Sequence, residues 1–376
     1  MEDQRLSSGA SSGLEHRHTS YAGTDYAAVL QGARLGRQTV VSNSRQVFVT
    51  GGTGFLGRHL VPTLLRSGYQ VRLLARAPQK HAWLARYPQV DVIAGDVQVP
   101  ETFADSMRGC QLVIHAAGRF RFWGDDASFD RINVGGTHNV LQAALDHGVE
   151  RVVHVSTIAV VGQPDPSRIV DETHPAHPVD PYQRSKLRGE ALAMSFNDRG
   201  LPVVIARPGA FYGPMGQYAF NRLFFRDPMR GIIMQVNRGR YVTFPVYIGD
   251  AASGIILCAE QGRAGEIYNL CGESLTHREA FDIICAEASL HFPRITIPGW
   301  MGVAAARVLT AISAITRREP FYPINLRSYV YNYWRCSNEK ARRELGFEPL
   351  PFDEGARRTI AWYRAGQPDM LPELEY

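Results

Sequence analysis

From Gln46 onward, short β-branched or apolar runs alternate with helical stretches, and this alternation restricts the chain to βαβ units around a parallel sheet. The spacing predicts strands over residues 47–50, 71–75, 90–94, 112–116, 151–156 and 203–206. Each is followed by a plausible crossover helix, notably 54–67, 133–147 and 182–199. These runs are too continuously apolar for strands with one face in water, so helices should cover both faces of the sheet.

After Pro208 the alternation weakens, Gly and Pro become frequent, and helices carrying aromatic residues dominate from His277. The expected fold is α/β: a Rossmann-type doubly wound parallel sheet with a smaller, mainly helical C-terminal substrate lobe. Residues 45–207 would bind the cofactor, with a helix at 249–261 and a strand at 266–270 returning to the sheet within 249–271. Residues 208–248 and 272–376 would form the lobe. Residues 1–44 contain Ser7-Ser8-Gly9-Ala10-Ser11-Ser12-Gly13 and read as a flexible extension, with 26–30 able to form a helical turn or two.

Thr50-Gly51-Gly52-Thr53-Gly54-Phe55-Leu56-Gly57 falls where the first strand ends and a helix begins. Gly51 suits the tight turn, Gly54 lets backbone approach a pyrophosphate, and Gly57 lets helix and strand pack closely. Amides at the helix start can then hold phosphate. After the second strand, where an acid would bind a ribose diol, the chain has Ala75 and then Arg76. A guanidinium there favours a 2′-phosphate, so NADP(H) is expected over NAD(H), which stays open.

Tyr182 and Lys186 stand at i and i+4 on one helix face, so a cation should lower the phenol's pKa towards neutrality for acid–base work. Ser156 and Thr157 close the fifth strand, at the sheet edge where ligands of such folds sit.

Together with Gly95-Asp96-Val97, His115-Ala116-Ala117-Gly118, Asn133-Val134-Gly135-Gly136-Thr137 and Arg207-Pro208-Gly209-Ala210-Phe211-Tyr212-Gly213-Pro214, these motifs make the chain resemble an extended short-chain dehydrogenase/reductase. The resemblance implies that Tyr182 exchanges the proton, Lys186 holds the nicotinamide ribose, and Thr157 is the catalytic hydroxyl. It gives Asn133 either a water-relay role or that of a helix-starting cap. It places Thr53, Phe55 and Leu56 in the phosphate loop, Asp96 and Val97 at the adenine, Ala116, Ala117 and Gly118 along the cofactor, and Pro208 beside the nicotinamide. The segment Arg119-Phe120-Arg121-Phe122-Trp123-Gly124 is similar to the branch of 3β-hydroxysteroid dehydrogenases and dihydroflavonol reductases. Phe120, Phe122, Trp123, Thr157, Phe211 and Tyr212 are therefore expected to contact substrate, with 242–248 as an apolar wall.

The substrate expected is a lipophilic ketone or secondary alcohol: a steroid, polyketide, flavonoid or β-keto acyl compound. A sugar-nucleotide epimerase using the same Tyr/Lys pair is the alternative, and a cofactor-sensing binding protein a weaker one. A dehydratase of that kind would want Asp-Glu after the threonine, where this chain has Ile158 and Ala159.

The net charge of +5 comes without any run of five or six like charges, which argues against nucleic acid. Five scattered cysteines without CxxC spacing, and His174 and His177 flanked by prolines, support neither a disulfide framework nor a metal site. A reducing, cytoplasmic compartment is expected. A homodimer is compatible with all of this. No apolar run reaches a bilayer span, since Arg307 interrupts the nearest. The helix 299–316 could still lie on a membrane, although packing into the lobe core is the favoured reading.

Overall fold

The computed structural model describes residues 45–369, apart from 166, 319, 321 and 322. The expectations for 1–44 lie outside the described residues.

Seven strands form the central sheet: β1 (Gln46–Thr50), β2 (Gln70–Ala75), β3 (Asp91–Ala94), β4 (Leu112–His115), β5 (Arg151–Val155), β6 (Val203–Pro208) and β7 (Ile267–Leu270). Their order is β7-β6-β5-β4-β1-β2-β3, and every pairing is parallel. Connections diverge between β1 and β4, which opens a crevice at the strands' carboxyl ends.

The alternation within β1 shows why both faces are covered. Val47 and Val49 pack with Leu60 and Leu64 of helix α1 (Gly57–Arg66) and Ile255 of a returning helix. Phe48 faces the other way, into Val140 and Leu141 of α2 (Thr137–Asp146) and Phe196 of α3 (Pro181–Asp198). Each such fully buried side chain contributes roughly 1.5–3 kcal/mol. The returning pieces are α4 (Ile248–Gln261), against α1, and β7, against β6.

Two crossovers differ from expectation. Between β2 and β3, and between β3 and β4, the chain makes only 3₁₀ turns, at Pro78–Lys80, Ala82–Arg86, Pro100–Thr102 and Ala104–Met107. Pro78 and Pro100 open two of these turns, and each run is only three to five residues long.

The lobe has its own aromatic core of Tyr212, Phe220, Phe224, Phe225, Phe281 and Phe352. It is framed by α5 (His277–Glu287), opened by a Thr276/Glu279 capping box, and later by α7 (Glu339–Leu345) and α8 (Phe352–Arg364). Helix α6 (Gly299–Thr316) has the expected bounds but not the favoured environment. Among its described side chains Gly302, Ala306 and Ser313 are buried, while Trp300, Met301, Val308, Ile312 and Ile315 are exposed. No helix among the described residues is long and apolar enough to cross a membrane.

Candidate active site

The three loop glycines serve different ends. Gly51 has φ +75°, and a Cβ there would lie 2.5 Å from the Ala116 carbonyl carbon. A Cβ on Gly57 would lie 2.1 Å from the Gly52 oxygen. Both are demanded by the turn itself, whereas Gly54 is exposed and open on its outer side. The start of α1 has neither a side-chain cap nor an acid in its first turn, so this cradle fits a pyrophosphate. Phe55 meets Phe211 edge to face at 6.4 Å, and Leu56 is buried beneath the loop. His59, held down to about 4 by burial and hence neutral, donates from Nε2 to the Pro214 carbonyl and ties α1 to the lobe.

Beside the loop, a recess of about 310 Å³ is lined by Thr53, Arg58, Lys80, His81 and Arg86 among others. Arg76 lies outside that lining, exposed at the end of β2 without a side-chain partner among the described residues. The Asp96 carboxylate accepts from the Gln98 amide at 2.9 Å, and Val97 is buried against Gly136.

A directional hydrogen-bond chain joins β1, β4 and the start of α2. The Ala117 N–H donates to Thr50 Oγ1, which donates to His115 Nδ1 at 2.7 Å. His115 Nε2 donates to Thr137 Oγ1 at 2.9 Å, and Thr137 donates to the Asn133 carbonyl. Burial holds His115 down to about 3, so one ring nitrogen can accept while the other donates.

Asn133 lies within a π-helical segment, Arg131–Gly136, rather than at a helix start. The preceding short helix is capped by Asp125 instead. The Asn133 Oδ1 accepts from the Arg119 N–H at 2.7 Å, and Nδ2 donates to the Arg119 carbonyl and to Ser185 Oγ. Both amide hydrogens are thereby committed, and Asn133 clamps the Gly118–Arg119 loop to α3.

Pro181 opens α3, and the Asp180 carboxylate caps it through the Gln183 N–H. Asp180 also accepts from Ser328 of the lobe at 2.8 Å. One turn on, Lys186 Nζ donates to the Val155 carbonyl at 2.7 Å. Burial pulls this ammonium down to about 8, against the opposing charge of Glu190. Glu190 makes a buried two-point pair with Arg207 on β6, at 2.8 and 2.6 Å. The next residue, Pro208, ends β6 in a buried position.

Ser156 and Thr157 diverge. Among the described residues the Ser156 hydroxyl is buried without a partner, whereas the Thr157 side chain reaches the Tyr182 phenol and accepts the Ala159 N–H. The expectation about Tyr182 itself is corrected. Its phenol is pushed above the ordinary tyrosine range, first by burial and then by the Asp180 charge, with Thr157 opposing. Lys186 spends its hydrogen bond on Val155 instead.

Aromatic rings gather around Tyr182. Phe120 stands 4.9 Å from it, edge to face, and contacts Phe122, Tyr218 and Tyr329. Phe122 stacks on Tyr218 at 5.5 Å. Trp123 makes no ring contact with this cluster. Tyr212 is buried in the lobe core against Phe225 and Phe352, too deep to touch a ligand. The segment 242–248 is likewise core: Val246 and Ile248 pack under the sheet, and Phe244 stacks on Trp334.

Sequence reasoning passed over Tyr218, Tyr329, Asp180, Ser185 and Glu190. Only Glu190 had a readable signal, a carboxylate four residues past Lys186 on the same helix face. It also missed that Cys271 and Cys336 come together, with sulfurs 3.0 Å apart beside Gly209.

The sequence model of the NAD dependent epimerase/dehydratase family matches residues 47–271. The 4-hydroxy-2-methyl-3-oxo-4-farnesyl-3,4-dihydroquinoline-1-oxide ketoreductase of Stigmatella aurantiaca is 34% identical over 80% of this chain and 91% of its own. The 3 beta-hydroxysteroid dehydrogenase/Delta 5-->4-isomerase of Mycobacterium tuberculosis is 30% identical over 84% of this chain and 90% of its own. Among solved structures, the dTDP-glucose 4,6-dehydratase DesIV of Streptomyces venezuelae, with NAD bound, superposes with a TM-score of 0.68 at 28% identity, covering 85% of this chain and 97% of that one. The chain belongs to the NAD dependent epimerase/dehydratase family, and it is an NAD(P)-dependent oxidoreductase.

Proposed function

We propose that this enzyme reduces a ketone on a lipophilic small molecule to a secondary alcohol, with NADPH as the preferred cofactor and Tyr182 as the general acid. The observation that carries the reading is the ring cluster of Phe120, Phe122, Tyr218 and Tyr329 beside Tyr182, an apolar and aromatic setting for a substrate carbonyl. The names of the ketoreductase and hydroxysteroid dehydrogenase relatives agree with it.

Residues 45–207 and 249–271 would hold the cofactor, with the Gly51–Gly57 loop at the pyrophosphate and Lys186 at the nicotinamide ribose. Residues 208–248 and 272–376 would shape the substrate side. For the 2′-phosphate, Arg76 is joined by Lys80 of the recess and by Arg58, which also bonds Asp369 there. When bound, the cofactor supplies the hydride.

The chain's own residues handle the proton. Burial and the Asp180 charge keep the Tyr182 phenol protonated at neutral pH, which is the form a reduction needs. The Ala159 N–H donates to Thr157, whose hydroxyl would donate to the Tyr182 oxygen. That leaves the phenol's own hydrogen for the substrate oxygen, and Thr157 then stabilises the phenolate left behind. Lys186, with its pKa drawn to about 8, adds positive charge one helical turn away.

The test is net consumption of NADPH with a panel of cyclic, aromatic and long-chain ketones. One NADPH oxidised per alcohol formed, at rates rising with the apolar surface of the ketone, is the expected result. Conversion of UDP- or dTDP-sugars without net NADPH loss would favour an epimerase instead.

A further inference from the structure

Helix α6 is inside out for a helix on a protein surface. Its inward seam is Gly302, Ala306 and Ser313, while Trp300, Met301, Val308, Ile312 and Ile315 point to solvent. Trp300 is 72% exposed, Val308 61% and Ile315 86%, in place of the polar side chains an outward face normally carries. Positions 301, 304, 305, 308, 311, 312 and 315 recur at helical spacing, so they form one stripe along a rod about 27 Å long.

The apolar surface continues in the strand just before the helix. There Arg294–Ile297 pairs in parallel with Ile233–Val236, which brings the exposed Met234 and Ile295 side by side. Phe292, also exposed, lies against Gly231 at 3.5 Å from where a Cβ would stand.

Charge narrows the choice of partner. From residue 288 to residue 318 the sequence has no Asp or Glu and four arginines, Arg294, Arg307, Arg317 and Arg318. Arg294 is paired with Asp282, but Arg307, Arg317 and Arg318 are exposed along and just beyond the helix. A tryptophan at one end, arginines at the other and an apolar stripe between them match the chemistry of a headgroup layer over acyl chains. A self-association face would bring these same arginines together without an acid to meet them within the segment.

We infer that α6 and the adjacent 231–236 and 292–297 segments form a docking surface for an anionic lipid bilayer, on which α6 lies in the plane of the interface. The inference is independent of the substrate reading, because no residue of this surface belongs to the ring cluster or the hydrogen-bonded groups at Tyr182.

Flotation of the full chain with phosphatidylcholine vesicles containing phosphatidylglycerol tests it, beside the V308E/I315E variant. Both replaced residues are exposed, so the variant should keep its fold, its NADPH affinity and its turnover of a water-soluble ketone. The wild type should float with anionic vesicles, float far less with phosphatidylcholine alone, and lose binding as salt is raised. The variant should partition at least about tenfold more weakly. Three results would overturn the inference: no flotation, flotation unchanged in the variant, or a dimer by light scattering that the variant dissolves while vesicles leave the wild type unbound.

Discussion

On the cofactor side of Tyr182, neighbouring groups are held by directional bonds between buried atoms: Thr50 to His115, His115 to Thr137, Asn133 to Arg119 and Ser185, Lys186 to Val155, and Arg207 to Glu190. On the side proposed for the substrate, Phe120, Phe122, Tyr218 and Tyr329 meet as rings at 5.0 to 6.4 Å. A hydrogen bond lost in the first region strands a buried partner, whereas a ring replaced in the second can be refilled by another apolar group. The cofactor side should therefore be intolerant of substitution and the substrate side plastic, which is how one catalytic apparatus can serve different substrates.

The largest effect should come at the boundary. Tyr182→Phe keeps the ring that packs on Phe120 but removes the proton, so kcat should fall by about 10²–10⁴-fold. NADPH affinity by fluorescence titration should change less than about twofold. Retention of the wild-type rate would break the division between the two sides.

Next in size is the buried ion pair. Glu190→Gln leaves the Arg207 charge without its carboxylate, which should cost about 3–5 kcal/mol in urea unfolding. Adding Arg207→Met to that variant should recover much of the loss. If the single substitution were neutral, the pair would not hold α3 to β6.

The neutral histidines predict a smaller, graded effect. His59 and His115 have folded pKa values of about 4 and about 3, below the free imidazole value of 6.5. As pH falls from 6.5 towards 4, the unfolded chain takes up protons that the folded one refuses, so stability must fall through that window. Each histidine adds a slope of up to about 1.4 kcal/mol per pH unit. Flat unfolding midpoints between pH 6.5 and 4.5 would show that these rings are not held neutral.

Smallest of all should be Tyr218→Leu, which trades a ring for an aliphatic side chain of the substrate wall. KM for a lipophilic ketone should change by about two- to twelvefold, since one aromatic pair contributes about 0.5–1.5 kcal/mol. Cofactor affinity should not move. A loss comparable to that of Tyr182→Phe would mean that the ring side is as exacting as the hydrogen-bonded one.

The same contrast explains what could be read from sequence. The glycine loop, the strand positions and the Tyr182/Lys186 pair are local or periodic features, since a turn, a β run and an i, i+4 spacing are all written in consecutive residues. Tyr218 and Tyr329 are brought to Tyr182 only by the fold of the lobe, and no spacing announces them. Tyr212 and 242–248 misled because an apolar residue near a site motif reads the same whether it lines a pocket or fills a core. The direction of the Tyr182 shift was misjudged because spacing places Lys186 near the phenol but does not reveal the burial that outweighs it. The environment of α6 was likewise hidden, because an apolar helix with no acid reads as core until its exposed face is known.

The fate of the hydride tests the central claim most directly. With NADPH carrying deuterium at C4 in each of the two configurations, one of the two should transfer its label to the carbinol carbon of a lipophilic alcohol, one deuterium per NADPH oxidised, in wild type and not in Tyr182→Phe. Label that stays in the cofactor while the enzyme converts a nucleotide sugar, with no alcohol formed from any ketone, would contradict the account.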